Sequence, residues 1–219
     1  MNPKKFKIIL VDDHTLLRDA LSSLIHSFEE FSVINSLNNG TELIRALSEG
    51  YKPDIVLLDL NMPILDGFET AKWLNVNYPE IKILILTMYD SEIALIRLLK
   101  VGVKGFLKKD THPNELRVAL NSVSENGYYY SQDTTGKLAN LFQKNTDNQN
   151  FVEKAMLNES ELEFLRLAST DLTYKEIAAQ LNLSPRAIDG YRDSLFEKLD
   201  VKSRVGLAIY AVKNGIVRV

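Results

Sequence analysis

Five positions carry side chains whose combination suits phosphate chemistry: the carboxylates Asp12, Asp13 and Asp59, the hydroxyl of Thr87, and an ammonium from the pair Lys108-Lys109. Asp59 is the most telling. It ends the apolar run Ile55-Val56-Leu57-Leu58 and is followed by Pro63 and the turn pair Asp66-Gly67. A carboxylate where a buried strand leaves the core is costly without partners, so it either caps a neighbouring turn or does chemistry. The others also stand at the ends of apolar runs, in "FKIILVDD" (6–13), "KILILT" (82–87) and "KGFLKK" (104–109). Three clustered carboxylates repel one another and demand a cation. A hard divalent ion with oxygen ligands, most simply Mg2+ retaining some of its water, meets that demand. Carboxylate-held metal, hydroxyl and ammonium can share the oxygens of a phosphoryl group. Asp59 would then be the nucleophile that forms an aspartyl-phosphate.

For these groups to meet, the runs that carry them must be neighbouring strands. Five strands are predicted at 6–11, 31–35, 54–59, 82–87 and 104–108, separated by apolar residues at helical spacing. Leu16, Leu17, Ala20, Leu21, Leu24 and Ile25 form one such set, and Ile93, Leu95, Ile96 and Leu99 another. Continuous apolar strands alternating with helices imply a parallel sheet covered on both faces. In a doubly wound sheet of order 2-1-3-4-5, functional groups collect outside the carboxyl ends of the strands, which is where all five positions fall.

After Tyr128-Tyr129-Tyr130 the composition turns polar. The stretch "SQDTTGKLANLFQKNTDNQN" (131–150) reads as a linker in which Leu138, Leu141 and Phe142 have the spacing of a short helix. Four helical patterns follow, at 158–169, 173–181, 184–199 and 203–214, with no strand signal between them. The expected division is a first domain at 1–130, a linker at 131–153 and an all-helical domain at 154–219.

With 45% hydrophobic and 25% charged residues, the 219-residue chain has the composition of a water-soluble globular protein. It lacks an apolar run of about eighteen residues, and its N-terminal apolar segment is short and ends in two aspartates, so neither a signal peptide nor a membrane span is expected. A cytoplasmic location fits best. The absence of cysteine excludes disulfides, thiolate zinc sites and thiol nucleophiles. A net charge of −3 does not suit a whole-chain polyanion binder, so any nucleic-acid surface must be local.

Such a surface is suggested at 173–199. Ile177, Ala178 and Leu181 make a short amphipathic helix, Asn182-Leu183 interrupt it, and Ser184-Pro185 supply an N-cap and first-turn proline for the next. The second helix has Ile188, Leu195 and Leu199 on its apolar side, which is the grammar of a helix-turn-helix that enters a DNA major groove. From residue 184 onward seven basic residues face four acidic ones. The contact candidates are Ser184, Arg186, Asp189, Tyr191, Arg192, Lys198, Lys202 and Arg204, with helix bridging the stronger expectation for Arg204. Val205, Leu207, Ala208, Ile209 and Val212 exceed what one small core needs on one side, so the last helix is a candidate for pairing with its twin.

The motifs "LVDDH" (10–14), "LLDLNMPILDG" (57–67), "LTMYD" (86–90) and "GFLKKD" (105–110) together resemble the receiver domain of bacterial response regulators. The segments "LNESELEFLRLA" (157–168), "KEIAAQL" (175–181) and "LDVKSRVGLAIYAVKNGI" (199–216) resemble the LuxR-type helix-turn-helix. The chain is thus similar to response regulators of the NarL/FixJ class over nearly its whole length. The resemblance implies a flavodoxin-like (βα)5 receiver and a transcription regulator rather than a conventional enzyme. By it, a sensor histidine kinase donates phosphate to Asp59, and Asp12, Asp13, Asp59 and the Asn61 carbonyl hold Mg2+. Thr87 follows the phosphate, Phe106 is the switch aromatic, and the family spacing selects Lys109 over Lys108. Asn61 and Tyr89 would influence the phosphate's lifetime. Phosphorylation would promote homodimerisation on double-stranded DNA. Two departures stand out: Asp189 and Asp193 replace the basic or hydroxyl residues often found there, and Asp171 replaces a glycine. An aspartate-nucleophile phosphohydrolase would use similar parts but carries a second acid two residues after the nucleophile, where this chain has Asn61. His14, beside the acidic pair, is a candidate for metal ligation or acid–base work, but the stronger expectation is a solvent-facing helix-start residue, and His26 and His112 form no ligand spacing with it.

Overall fold

The computed structural model describes residues 5–88, 92–144 and 157–217. The chain divides into two compact units, Met1–Asp90 with Leu95–Lys137, and Leu138–Val219 with Ser91–Ala94. Among the described residues, no helix is long and apolar enough to cross a membrane.

The first unit is built on strands β1 (Phe6–Val11), β2 (Phe31–Leu37), β3 (Ile55–Asp59), β4 (Lys82–Thr87) and β5 (Gly105–Lys108). They pair in parallel in the order β2-β1-β3-β4-β5. Helices α1 (Thr15–His26), α2 (Gly40–Ser48), α3 (Gly67–Asn77), α4 (Glu92–Lys100) and α5 (Pro113–Asn126) connect and follow them. Alternate strand residues feed two apolar layers. Ile9, Val56, Leu58, Ile83 and Ile85 pack on one face with Leu43, Ala71 and Leu74, while Ile8, Leu10, Leu57, Leu84 and Leu86 pack on the other with Ile25, Leu116 and Leu120. This two-sided burial explains why the inner strands β1, β3 and β4 carry unbroken apolar runs, while the edge strand β2 is interrupted by Ser32, Asn35 and Ser36.

The loop after β3 is set by close approach. Asp66 is the N-cap of α3, its side chain accepting from the Glu69 N–H at 2.8 Å, so Asp66-Gly67 opens a helix rather than forming an isolated turn. A Cβ on Gly67 would stand 2.0 Å from the Asp59 carbonyl oxygen, so only glycine lets α3 start against the end of β3.

A sixth helix, α6 (Gln132–Lys144), occupies the described part of the polar stretch read as a linker. Ser131 starts it: its hydroxyl accepts from the Thr134 N–H at 3.2 Å. Residues 145–153 of the expected linker, like Tyr89, lie outside the described residues.

The second unit contains α7 (Glu159–Ala168), α8 (Tyr174–Gln180), α9 (Pro185–Lys198) and α10 (Arg204–Lys213) around Phe164, Leu165, Ile177, Ile188, Leu195, Leu207 and Ala211. Capping boxes at Asn158–Glu161 and Thr173–Glu176 start α7 and α8, and Ser184 caps α9 by accepting from the Ala187 N–H at 3.2 Å. Asn182, with φ of 53°, makes the tight turn between α8 and α9. Asp171 is not among the described residues with positive φ, so this turn does not require the left-handed backbone that glycine would supply.

Candidate functional site

The ends of β1, β3 and β5 bring Asp12, Asp59 and Lys109 together. The Lys109 Nζ lies 2.8 Å from Asp12 Oδ2 and 2.9 Å from Asp59 Oδ2, and all three side chains are almost fully buried. Lys109 is fixed from behind by its backbone N–H, which donates to the Thr87 carbonyl at 3.0 Å. One ammonium cannot balance two buried carboxylates and a third nearby. Burial raises the Asp59 pKa, and the neighbouring Asp12 charge adds to the rise; Lys109 and the Asn61 backbone N–H oppose it. Lys108, by contrast, is exposed, with its Nζ 3.9 Å from Asp133.

Asp12, Asp13, His14 and Asp59 each offer a donor atom, and these atoms all lie within 4.8 Å of one another. The three carboxylates suit a hard divalent cation, which would relieve the repulsion left by Lys109. His14 stands at the helix start and is exposed as expected, but it also faces the carboxylates. It occupies the N-cap of α1 and its side chain is 55% exposed, yet the ring turns back so that Nδ1 lies 3.0 Å from Asp12 Oδ1 and 3.1 Å from Asp13 Oδ1. The buried Arg18 braces the same loop, donating to the Asp12 carbonyl at 2.6 Å and to Asn38 Oδ1 at 2.8 Å.

Thr87 and Phe106 are buried and line one cavity of about 470 Å³, together with Leu95, Glu115, Tyr129 and Asp133. The Phe106 ring packs on Tyr130, 5.9 Å between centroids. Tyr129 donates from its hydroxyl to Glu115 Oε1 at 3.1 Å, and burial pushes its pKa up to about 12, with Glu115 adding to the shift.

In the second unit, the residues expected to touch DNA divide by environment. Ser184, Arg186, Asp189 and Lys202 are exposed. Arg192 pairs with Asp189 at 2.8 Å and Asp193 at 2.9 Å, which gives the two unexpected aspartates a partner on their own helix. Tyr191 stacks on Phe164 with centroids 5.9 Å apart, so its ring belongs to the core edge. Lys198 departs from the expected open DNA face. Its Nζ donates to both oxygens of the buried Glu161, at 2.7 and 2.9 Å, tying α9 to α7. Arg204 bridges as expected, donating to the carbonyls of Ala168 at 2.8 Å, Thr170 at 2.7 Å and Leu172.

Residues 8–121 match the response regulator receiver domain, and residues 155–211 match the LuxR family of bacterial regulatory proteins. The chain is 32% identical over 212 residues to the oxygen regulatory protein NreC of Staphylococcus haemolyticus, covering 95% of this chain and 97% of that protein. The chain belongs to the response regulators with a LuxR-type DNA-binding domain. This response regulator is also 28% identical to the transcriptional regulatory protein DegU of Brevibacillus brevis, over all of its own length and 98% of that protein's. Among solved structures, RcsB of Salmonella enterica serovar Typhimurium, bound to promoter rprA in the presence of phosphomimetic BeF3−, superposes with a TM-score of 0.67. The match has 24% identity and covers 94% of this chain and 98% of that one. It supports the fold of this regulator.

Sequence reasoning missed two participants and the orientation of a third. Glu161 has a signal only in hindsight, as the third helical residue of a capping box. Arg18 lies at helical spacing from His14, and its contact with the Asp12 carbonyl depends on how α1 packs. The ring orientation of His14 has no sequence signal at all.

Proposed function

We propose that this response regulator takes a phosphoryl group onto Asp59 from a sensor histidine kinase and uses it to control DNA binding as a dimer. The observation that carries this reading is the shared ammonium: Lys109 Nζ reaches Asp12 and Asp59 at once, at the carboxyl ends of adjacent strands. A carboxylate oxygen of Asp59 attacks phosphorus, the P–N bond to the kinase imidazole breaks, and its electron pair stays on the departing nitrogen. Lys109 stands where it can follow a phosphoryl oxygen, leaving Asp12 free to hold a cation. Asp12, Asp13, Asp59 and the Asn61 carbonyl would hold Mg2+, which when bound neutralises charge between carboxylates and phosphoryl oxygens.

The switch is assigned to Thr87 and Phe106. Movement of the Thr87 hydroxyl toward the phosphoryl group opens space beside the cavity that both residues line, and the Phe106 ring responds by repacking. The domain limits we assign are 1–130 for the receiver, 131–153 for the linker and 154–219 for the DNA-binding domain. On DNA, Ser184, Arg186 and Lys202 take the contact role, with Asp189, Tyr191 and Arg192 at the edge of the recognition face. Lys198 and Arg204 act by holding α9 and α10 in place. Val205 and Ile209, 67% and 50% exposed and four residues apart on α10, suit a two-fold contact between copies.

The test is intact-mass analysis after incubation with Mg2+ and a small phosphoryl donor. A single phosphoryl adduct that borohydride traps at residue 59, absent from Asp59→Asn, supports the assignment. An adduct that persists in Asp59→Asn removes it.

A further inference from the structure

The acidic pocket has two sides, and different nitrogen groups face them. Lys109 faces the Oδ2 atoms of Asp12 and Asp59, while His14 Nδ1 faces the Oδ1 atoms of Asp12 and Asp13. The imidazole nitrogen therefore contacts carboxylate oxygens that the ammonium does not. Its two separations, 3.0 and 3.1 Å, also match the edge of an octahedron. Ligands held at about 2.1 Å and at right angles around one cation are about 3.0 Å apart.

We propose that His14 is a nitrogen ligand of this pocket and makes it favour a divalent transition ion, of the Mn2+ or Co2+ class, over Mg2+. The inference rests on the reading that Asp12, Asp13 and Asp59 hold a divalent cation, and adds a donor and a selectivity to it. Mg2+ strongly prefers oxygen ligands and keeps its water, so an imidazole gives it little. Ions further along the first transition series gain more from imidazole nitrogen, so replacing one water by His14 raises their affinity selectively. Even an outer-shell partner of a metal ligand is typically worth roughly 10–100-fold in affinity, so a direct ligand is worth at least the lower figure.

His14 can play this part without rebuilding the fold. Its side chain is half exposed and makes no capping bond to α1, so the ring can adjust. Its backbone N–H already donates to Asp12 Oδ1 at 2.8 Å, which keeps the residue beside the pocket. On coordination Nδ1 donates its lone pair to the ion.

The test uses the full-length protein and the metal ions alone. Free Mn2+ is counted by electron paramagnetic resonance to give affinity, Mg2+ is measured by competition, and electron spin-echo modulation reports nitrogen bound to Mn2+. Wild type is expected to show strong nitrogen coupling and to prefer Mn2+. His14→Asn, a residue favoured at a helix N-cap, and His14→Ala are expected to lose that coupling and roughly 10-fold or more of Mn2+ affinity, with Mg2+ affinity changed by less than about twofold. Equal Mn2+ affinity and no nitrogen coupling difference between wild type and both variants overturns the role of His14 while leaving the carboxylate pocket standing. No saturable binding of either ion to wild type overturns the pocket reading itself, and the selectivity with it.

Discussion

Replacing Lys198 by methionine keeps most of the side chain's length and removes its charge. In the wild type the ammonium contacts both oxygens of Glu161, whose side chain is 8% exposed. Removing one member of a buried ion pair costs about 3–5 kcal/mol, because the other charge is left behind in a poorly solvated place. Glu161 keeps one compensating contact, accepting from the Asn158 N–H at 2.8 Å, which brings the expected loss down to about 2–3 kcal/mol. A helical unit of about sixty residues has a total stability of roughly 3–9 kcal/mol, so the change is a large share of it. The loss corresponds to a fall in Tm of roughly 10–20 °C for that unit. Urea unfolding followed by circular dichroism reads both units, and the helical unit's transition is the part that tryptophan fluorescence does not follow. The sole tryptophan, Trp73, reports the receiver separately by fluorescence and serves as an internal control. DNA binding supplies a second arm. At a temperature where both proteins are folded, its salt dependence should be unchanged. A lysine that contacted phosphate would instead lower the slope of log K against log salt by about 0.9, with little change in stability. That second pattern refutes the structural assignment of Lys198.

Four further outcomes are expected. Arg204→Ala strips donors from three backbone carbonyls and should destabilise the helical unit by about 2–4 kcal/mol, while Arg204→Lys recovers only part, both measured by thermal melting. Gly67→Ala places a methyl against the Asp59 carbonyl and should lower receiver stability by about 1–3 kcal/mol and slow phosphoryl transfer, read by Trp73 fluorescence and adduct formation. Burial raises the Asp59 pKa, so the folded receiver binds more protons than the unfolded chain from the ordinary carboxylate range up to that raised value, and stability falls as pH rises through the window. Asp59→Asn should therefore raise the Tm of the cation-free protein at neutral pH and flatten this decline. The Tyr129 pKa is pushed up from 10.0 to about 12, so its contribution is fully present below 10 and is lost as pH rises toward 12. Burial also raises the Tyr130 pKa, so alkaline titration at the phenolate absorbance band should show a late tyrosine fraction that Tyr129→Phe reduces without abolishing.

The receiver was legible because its inner strands β1, β3 and β4 are largely buried on both faces, so each carries an unbroken apolar run followed by a polar residue. Asp12, Asp59, Thr87 and the Lys108-Lys109 pair could be placed at one edge of the sheet from topology, while the choice of Lys109 came from the family spacing. The four C-terminal helices were legible for another reason: each has its own start signal, in Asn158, Thr173, Ser184 and Ser203. Side-chain partners far apart in sequence were not legible. Lys198 lies on the expected helix with the expected charge, and its commitment to Glu161, 37 residues away, depends on how α7 and α9 cross. The full length of α6 was also obscured, since polar residues dominate a helix whose large apolar positions are only Leu138, Leu141 and Phe142.

The central claim is that phosphate on Asp59 controls DNA binding, and it is tested most directly by selection from a randomised duplex library at fixed salt. Wild type and Asp59→Asn are compared with Mg2+, with and without a small phosphoryl donor. The account expects donor-dependent enrichment of a two-fold symmetric site by wild type only. Equal enrichment by both proteins, or enrichment that ignores the donor, would contradict it.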